Sequence, residues 1–246
     1  MAKIMLETVK AELAPNGVLR AGINLSNPLL VTGEALNGDP IGVSPDMALT
    51  IAERLEVTVK YVPFSSPGAL ADAIDDGVYD IGLIAAEPAR AETIAFTSAY
   101  VEIEATYLVP ESSSLTTIED VDKAGVRISV SARSAYDLYL TRTLQNAKLE
   151  RAKGLTGALE LFKKENFDAL AGLRPALNED IKELPGTKIL DGRYTTVQQA
   201  IGTQIGRVAS AAFLQDFVNE AIDNGLVAGF IENHGVEGRL LVASKN

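Results

Sequence analysis

Three arginines stand where a guanidinium could meet an anion. Arg90 closes the run Glu87-Pro88-Ala89-Arg90, Arg133 precedes Ser134 after a β-rich run, and Arg174 follows Leu173 at the end of another. A guanidinium is a rigid fork of donors that pairs with a carboxylate through two charge-assisted hydrogen bonds. Few other residues offer chemistry. The chain has no cysteine and one histidine, His234, which excludes disulfides, thiolate nucleophiles and Cys-ligated metals. A Ser-His-Asp triad would have to use His234, and an HExxH zinc motif lacks its second histidine. Within Glu232-Asn233-His234-Gly235 that histidine reads as a helix-end residue, where a cation suits the dipole. The carboxylate pairs Asp75-Asp76 and Glu119-Asp120 sit beside turns and read as solvated caps. No Gly-rich phosphate loop, nucleophile elbow or metal-ligand spacing occurs, so neither a metal nor a cofactor is expected. A net charge of −11, with no basic cluster, argues against nucleic acid as a partner.

These residues need strands and helices to hold them. Leu19 to Leu25, Thr58 to Phe64, Tyr79 to Ala85, Ala105 to Val109, Val126 to Ser131, Phe167 to Leu173, Lys188 to Leu190 and Val197 to Gly202 read as strands. Ser44-Pro45-Asp46 predicts a helix start with Ser44 as N-cap, and Met47, Ile51 and Leu55 repeat on one face with Ala48 and Ala52 beside them. Leu70 to Ile74 and Ala158 to Lys164 predict further helices, Ser134 an N-cap, and Phe213, Phe217 and Ala221 the inner face of a late helix ended at Asn224-Gly225. Phe230 and Ile231 belong to a shorter helix that stops at Gly235.

Strand and helix alternate twice over, which predicts an α/β fold of two doubly wound parallel-sheet lobes joined by a two-strand hinge. Lobe 1 is expected to hold residues 1–101 and 200–246, lobe 2 residues 106–194, and the hinge strands residues 102–105 and 195–199. In such an arrangement the ligand site is expected in the cleft between the lobes, at the carboxyl ends of the strands. Asn24, Ser26 and Asn27 after the first strand and Ser65 and Ser66 after the second are candidates there, each with a turn or cap role as the alternative.

The order of motifs resembles the amino-acid type (family 3) solute-binding proteins of ABC transporters, which have the type II periplasmic binding protein fold. The segments are Gly17-Val18-Leu19-Arg20-Ala21-Gly22, Pro40-Ile41-Gly42-Val43-Ser44-Pro45-Asp46-Met47-Ala48, Gly77-Val78-Tyr79-Asp80-Ile81-Gly82 and Glu87-Pro88-Ala89-Arg90-Ala91-Glu92-Thr93-Ile94-Ala95-Phe96-Thr97. The resemblance implies that Arg90 pairs with a ligand's α-carboxylate; pairing with Glu87 or Glu92 at the surface is the alternative. It also marks departures. Ala85 stands where the family has Ser or Thr, positions near Asn27 and Pro67 lack the family's aromatics, and Leu173 replaces the acid that meets an α-ammonium. Arg133 replaces a glycine beside Ser134, so Arg90, Arg133 and Arg174 either surround a ligand with two acidic groups or, for the last two, pair with carboxylates of the protein.

What the resemblance implies is reversible, non-catalytic binding of a small carboxylate or amino-acid-like ligand with hinge closure, by a monomer, with an ABC permease as partner. Two rival functions stay open: a cyclohexadienyl dehydratase-like enzyme with Glu87 as the added acid, or a ligand sensor acting through a partner protein. The resemblance implies a periplasmic location. The first residues contain no signal-peptide apolar core, Ile4-Met5-Leu6 being their longest apolar run, so a cytoplasmic location is the alternative.

Overall fold

A computed structural model describes residues 2–244; the side chains of Ile4 and Met5, in the apolar run weighed above, lie outside the described ones. In chain order the elements are α1 (Ala2–Leu13), β1 (Val18–Asn24), β2 (Gly33–Glu34), β3 (Pro40–Ile41), α2 (Val43–Arg54), β4 (Thr58–Phe64), α3 (Pro67–Asp72), β5 (Ile81–Ala85), β6 (Ile94–Phe96) and β7 (Val101–Pro110). There follow β8 (Arg127–Ser131), α4 (Ala135–Thr143), β9 (Lys148–Ala152), α5 (Gly154–Glu165), β10 (Ala169–Leu173), α6 (Arg174–Asp180), β11 (Thr187–Ile189), β12 (Thr195–Gln204), α7 (Val208–Asp223), α8 (Leu226–Asn233) and β13 (Leu241–Val242).

The chain forms two compact units. Lobe 1 runs up to Glu102 and resumes at Gln198; lobe 2 is Ile103–Val197, so β7 and β12 each pass from one into the other. In lobe 1, β1 lies between β4 and β5, parallel to both, and β12 adds to β5 in the opposite direction. In lobe 2, β8 lies between β9 and β10, again parallel, and β7 adds to β10 antiparallel. Each lobe is therefore parallel at its centre, as the alternation of strand and helix predicts, with one antiparallel strand added on the flank. An antiparallel strand on the flank of a parallel sheet is a common arrangement in α/β folds.

The helical face of α2 behaves as its spacing predicts: Met47, Ala48, Ile51, Ala52 and Leu55 are fully buried. Its start is different. The N-cap is Gly42, and Ser44 lies inside the helix, buried, with its hydroxyl 2.8 Å from the Tyr100 hydroxyl. Gly42 has φ 151°, and a Cβ there would fall 2.2 Å from the Leu30 carbonyl oxygen, so only glycine admits this entry. The Leu70 helix also begins earlier than expected, at Pro67, because Ser66 caps it by accepting from Ala69 N at 3.2 Å. Behind lobe 1's sheet Leu70, Ile74, Tyr79, Ile84 and Ile94 form one cluster; in lobe 2 Leu108, Phe162, Phe167, Leu170 and Leu177 form another.

His234 does sit at the C-cap of α8, but its ring works sideways. Nε2 is 2.7 Å from Asp46 Oδ2 and Nδ1 is 3.3 Å from Thr32 Oγ1, which ties the end of α8 to the first turn of α2 and to the segment before β2. Among the described residues no helix is long and apolar enough to cross a membrane.

Candidate functional site

In lobe 1 the register sets the carboxyl ends of three parallel strands side by side. Asn24 pairs with Phe64 across β1 and β4, and Ile23 with Leu83 across β1 and β5, two residues before Ala85. The residues expected at this rim are therefore neighbours along it. Asn24 Oδ1 accepts from the backbone N–H and the hydroxyl of Ser26, at 3.2 and 2.7 Å. Asn27 folds its own turn, its side-chain oxygen accepting from Leu29 N at 3.1 Å. Ser66 is spent on capping α3, and Ser65 beside it is exposed. The turn and cap roles raised as alternatives are thus occupied for Asn24, Ser26, Asn27 and Ser66.

Arg90 is held by local structure on every side. Strand β5 is buried along its whole length, and after it the chain turns so that Arg90 N and Ala91 N both donate to Glu87 O at 2.9 Å, while Arg90 O accepts from Ile94 N at 3.0 Å. The side chain turns back, and Nη1 donates to Ala85 O at 2.7 Å. Arg90 is only 5% exposed. A guanidinium has five N–H donors, and burying one is costly unless anions or carbonyls meet them. Ala85 contributes its carbonyl and not a side chain, and Glu87, half-buried, shapes the turn with its own carbonyl.

Lobe 2 presents a different rim. After β8, Arg133 takes φ 59°, the left-handed conformation for which the expected glycine is better suited. Its backbone N–H donates to Asp137 Oδ2 at 2.7 Å while Ser134 Oγ accepts from Asp137 N at 3.1 Å, a reciprocal cap at the start of α4. Arg151 Nε completes it at 2.9 Å from Asp137 Oδ1. After β10, Arg174 donates from Nε to Glu104 Oε2 at 2.8 Å and from Nη2 to the Gly192 carbonyl. Arg193 Nη1 reaches the other oxygen of the same carboxylate at 2.8 Å. Arg174 is therefore a partner of the protein's own carboxylate, the second of its two readings. Burial alone would push Glu104 up, but the hydrogen bonds and charges of Arg193 and Arg174 hold it below the usual carboxylate range.

Glu104, Arg193 and the Asp137–Arg151 pair escape a reading of the sequence because their partners lie far away in it. Tyr136 is another omission: burial pushes its phenol up to about 12, against hydrogen bonds with Ser134 and Ser131. Its only signal in the sequence is its position, two residues past an N-cap serine.

Two α/β units sharing a pair of crossing strands, with a buried arginine just past a central strand of one unit, describe a solute-binding protein of the periplasmic type. The chain belongs to the bacterial extracellular solute-binding proteins, family 3, whose profile it matches over residues 19–224. No curated protein is a recognisable sequence relative. Among solved structures, a mutant of ArgBP from T. maritima is similar with a TM-score of 0.72 and 21% identity, over 95% of this chain and 100% of that one. An ancestral amino acid-binding protein, a precursor of cyclohexadienyl dehydratase, gives 0.72 and 19%, over 92% and 98%. The substrate binding protein of an amino acid ABC transporter gives 0.70 and 17%, over 88% and 98%. At such identities the likeness speaks for the fold.

Proposed function

We propose that this chain is the substrate-binding component of an importer resembling the amino-acid ABC systems, and that it captures a small carboxylate without catalysing a reaction. The observation that carries this reading is Arg90, 5% exposed and fixed at Nη1 by Ala85 O at 2.7 Å, just past the buried central strand of lobe 1. A positioned guanidinium offers a carboxylate two charge-assisted hydrogen bonds, each worth roughly 1.5–3 kcal/mol. Because Glu104 already neutralises Arg174, the ligand in this reading has one carboxylate on Arg90 and no second acidic group on Arg174. Leu173 brings no charge to an α-ammonium, so carboxylates lacking one belong in the ligand panel beside amino acids. The strands β7 and β12 flex on binding, and the protein works outside the cytoplasm as a monomer that delivers its ligand to a permease.

The test is a thermal-shift panel of amino acids and simple carboxylates, followed by calorimetry on the hit. Arg90→Ala should weaken the hit at least 100-fold with its fold intact by circular dichroism. An unchanged affinity rejects the reading. A dehydratase is the second reading, favoured by the structural likeness to the dehydratase precursor and by half-buried Glu87 three residues before Arg90. Turnover of prephenate or arogenate, lost in Glu87→Gln, would establish it in place of the first.

A further inference from the structure

Lobe 2 contains a cavity of about 100 Å³ lined from α4, α5, β10 and α6, remote in sequence from Arg90 and sharing only Leu173 with the reading above. Leu155, Leu159, Leu170, Leu173 and Leu177 line it beside Tyr136, and Gly172 contributes bare backbone because a Cβ there would lie 2.9 Å from Leu177. Among the residues that line it, Asp180 alone is acidic. Asp180 ends α6 and heads the following 3₁₀ turn, yet its side chain caps nothing there. Among the described residues its carboxylate accepts no hydrogen bond and forms no ion pair. The charges around it are mostly of its own sign: Glu179 and Glu183 oppose its ionisation, and Lys163 alone favours it. The Lys163 ammonium is itself 3.5 Å from Glu160. Burial and these acids raise the pKa of Asp180, with Lys163 opposing.

An apolar slot with a half-buried, unpaired carboxylate at its edge lacks one thing, a cation with a hydrocarbon tail. Size narrows the choice. A cavity of roughly 150 Å³ lined by apolar side chains admits benzene, so this smaller one suits a chain of about four or five heavy atoms. We propose that this cavity is a binding subsite for a short unbranched alkylammonium, its charge on Asp180 and its carbons among Leu159, Leu170 and Leu177. An ionised carboxylate is acceptor-only, so an ammonium pairs with it better than a hydroxyl does, and a second carboxylate is repelled. The site stands on lobe 2 alone and does not depend on the role given to Arg90.

The test is an amide NMR titration of the full chain, following Gly172 and Leu177, with n-butylammonium chloride, n-butanol and sodium butyrate. Butylammonium should give saturable shifts, n-butanol at least tenfold weaker ones, and butyrate none. Asp180→Asn should weaken butylammonium at least tenfold and leave n-butanol unchanged. Ala176→Leu, which fills the slot from the half-exposed side of α6, should abolish both, and Arg90→Ala should alter neither. Equal binding of butylammonium and butanol overturns the proposal, as does an Asp180→Asn protein that binds butylammonium like the parent. Shifts that persist in Ala176→Leu place the amine elsewhere and overturn it too. Loss of carboxylate binding in Arg90→Ala with amine shifts intact supports both sites; loss of the amine shifts in Arg90→Ala overturns this proposal, and retained carboxylate binding there overturns the Arg90 reading alone.

Discussion

The two lobes use one backbone device and then diverge. In lobe 1 Arg20 N donates to Asp80 Oδ2 at 3.0 Å; in lobe 2 Arg127 N donates to Asp168 Oδ2 at 2.8 Å. Each aspartate stands just before the central buried strand, and each ties it to the strand alongside. The arginine side chains part company. Arg20 stays on its aspartate, with Nε at 2.9 Å and Nη2 at 2.7 Å, and Arg207 adds a contact at 3.5 Å to a carboxylate only 1% exposed. Arg127 turns away to Glu165 Oε2 at 3.1 Å and stacks over the Phe167 ring at 4.1 Å. The same contrast returns past the central strands, where Arg90 is buried against a backbone carbonyl and Arg174 is neutralised by Glu104. A guanidinium's position after a strand thus does not settle its work; the nearest carboxylate does.

Removing the aspartates should expose that difference most strongly. Asp80→Ala leaves the guanidinium contacts around a buried site unpaired and should lower the urea unfolding free energy by about 3 kcal/mol, whereas Asp168→Ala loses mainly one backbone hydrogen bond and should cost about 1 kcal/mol. Equal losses would show that the backbone tie, and not the ion cluster, holds both lobes.

Arg174→Ala removes one of two partners of a part-exposed carboxylate. It should cost about 1 kcal/mol, because Arg193 remains, and should change affinity for the Arg90 ligand less than about threefold by calorimetry. A loss as large as that of Arg90→Ala would restore Arg174 to the ligand site.

Two acids of lobe 2 should move stability with pH in opposite senses. Glu104 is depressed in the fold, so its contribution is present above the unfolded carboxylate value of about 4.3 and fades as pH falls through its lower folded value. Asp180 is raised, so its contribution is present below the unfolded value of about 3.9 and is lost as pH rises through its folded value. At pH 7 Glu104→Gln should therefore lower the melting temperature and Asp180→Asn should raise it, both differences shrinking in acid. Shifts of one sign would remove the distinction.

The smallest effect should come from Tyr194, whose buried hydroxyl has no hydrogen-bond partner among the described residues and whose ring lies 4.5 Å from that of Tyr107. Leaving a buried hydroxyl unpaired carries a desolvation cost, so Tyr194→Phe should be neutral or stabilising by up to about 1 kcal/mol in the same urea titration. A clear loss of stability would mean that the hydroxyl has a partner after all.

Short-range signals carried the legible part of this molecule. Strand β4 spans Thr58–Phe64, as its composition predicts, and the buried face of α2 follows from Met47, Ile51 and Leu55 recurring every four residues. Arg90 is singled out by its motif, and the turn and the bond to Ala85 that hold it span no more than five residues. Strand β9 is not readable: Lys148-Leu149-Glu150-Arg151-Ala152 carries the charges that protect a sheet edge, and only its pairing with β8 makes it a strand. Helix α6 is hidden behind Arg174-Pro175, where proline marks a helix start as readily as a break. Ser44 offered the chemistry of a cap, but a glycine that alone admits φ 151° had already turned the chain.

By itself the sequence determined the α/β alternation, the absence of thiol chemistry and the turn that carries Arg90, whose backbone bonds are local. Only the tertiary structure decided which charges are spent. Arg174 finds Glu104 across 70 residues and Arg193 finds it across 89, while Asp180, beside a leucine-lined cavity, forms no ion pair among the described residues. Ion pairing acts over a few ångströms of space, and a pattern of neighbours along the chain does not contain that distance.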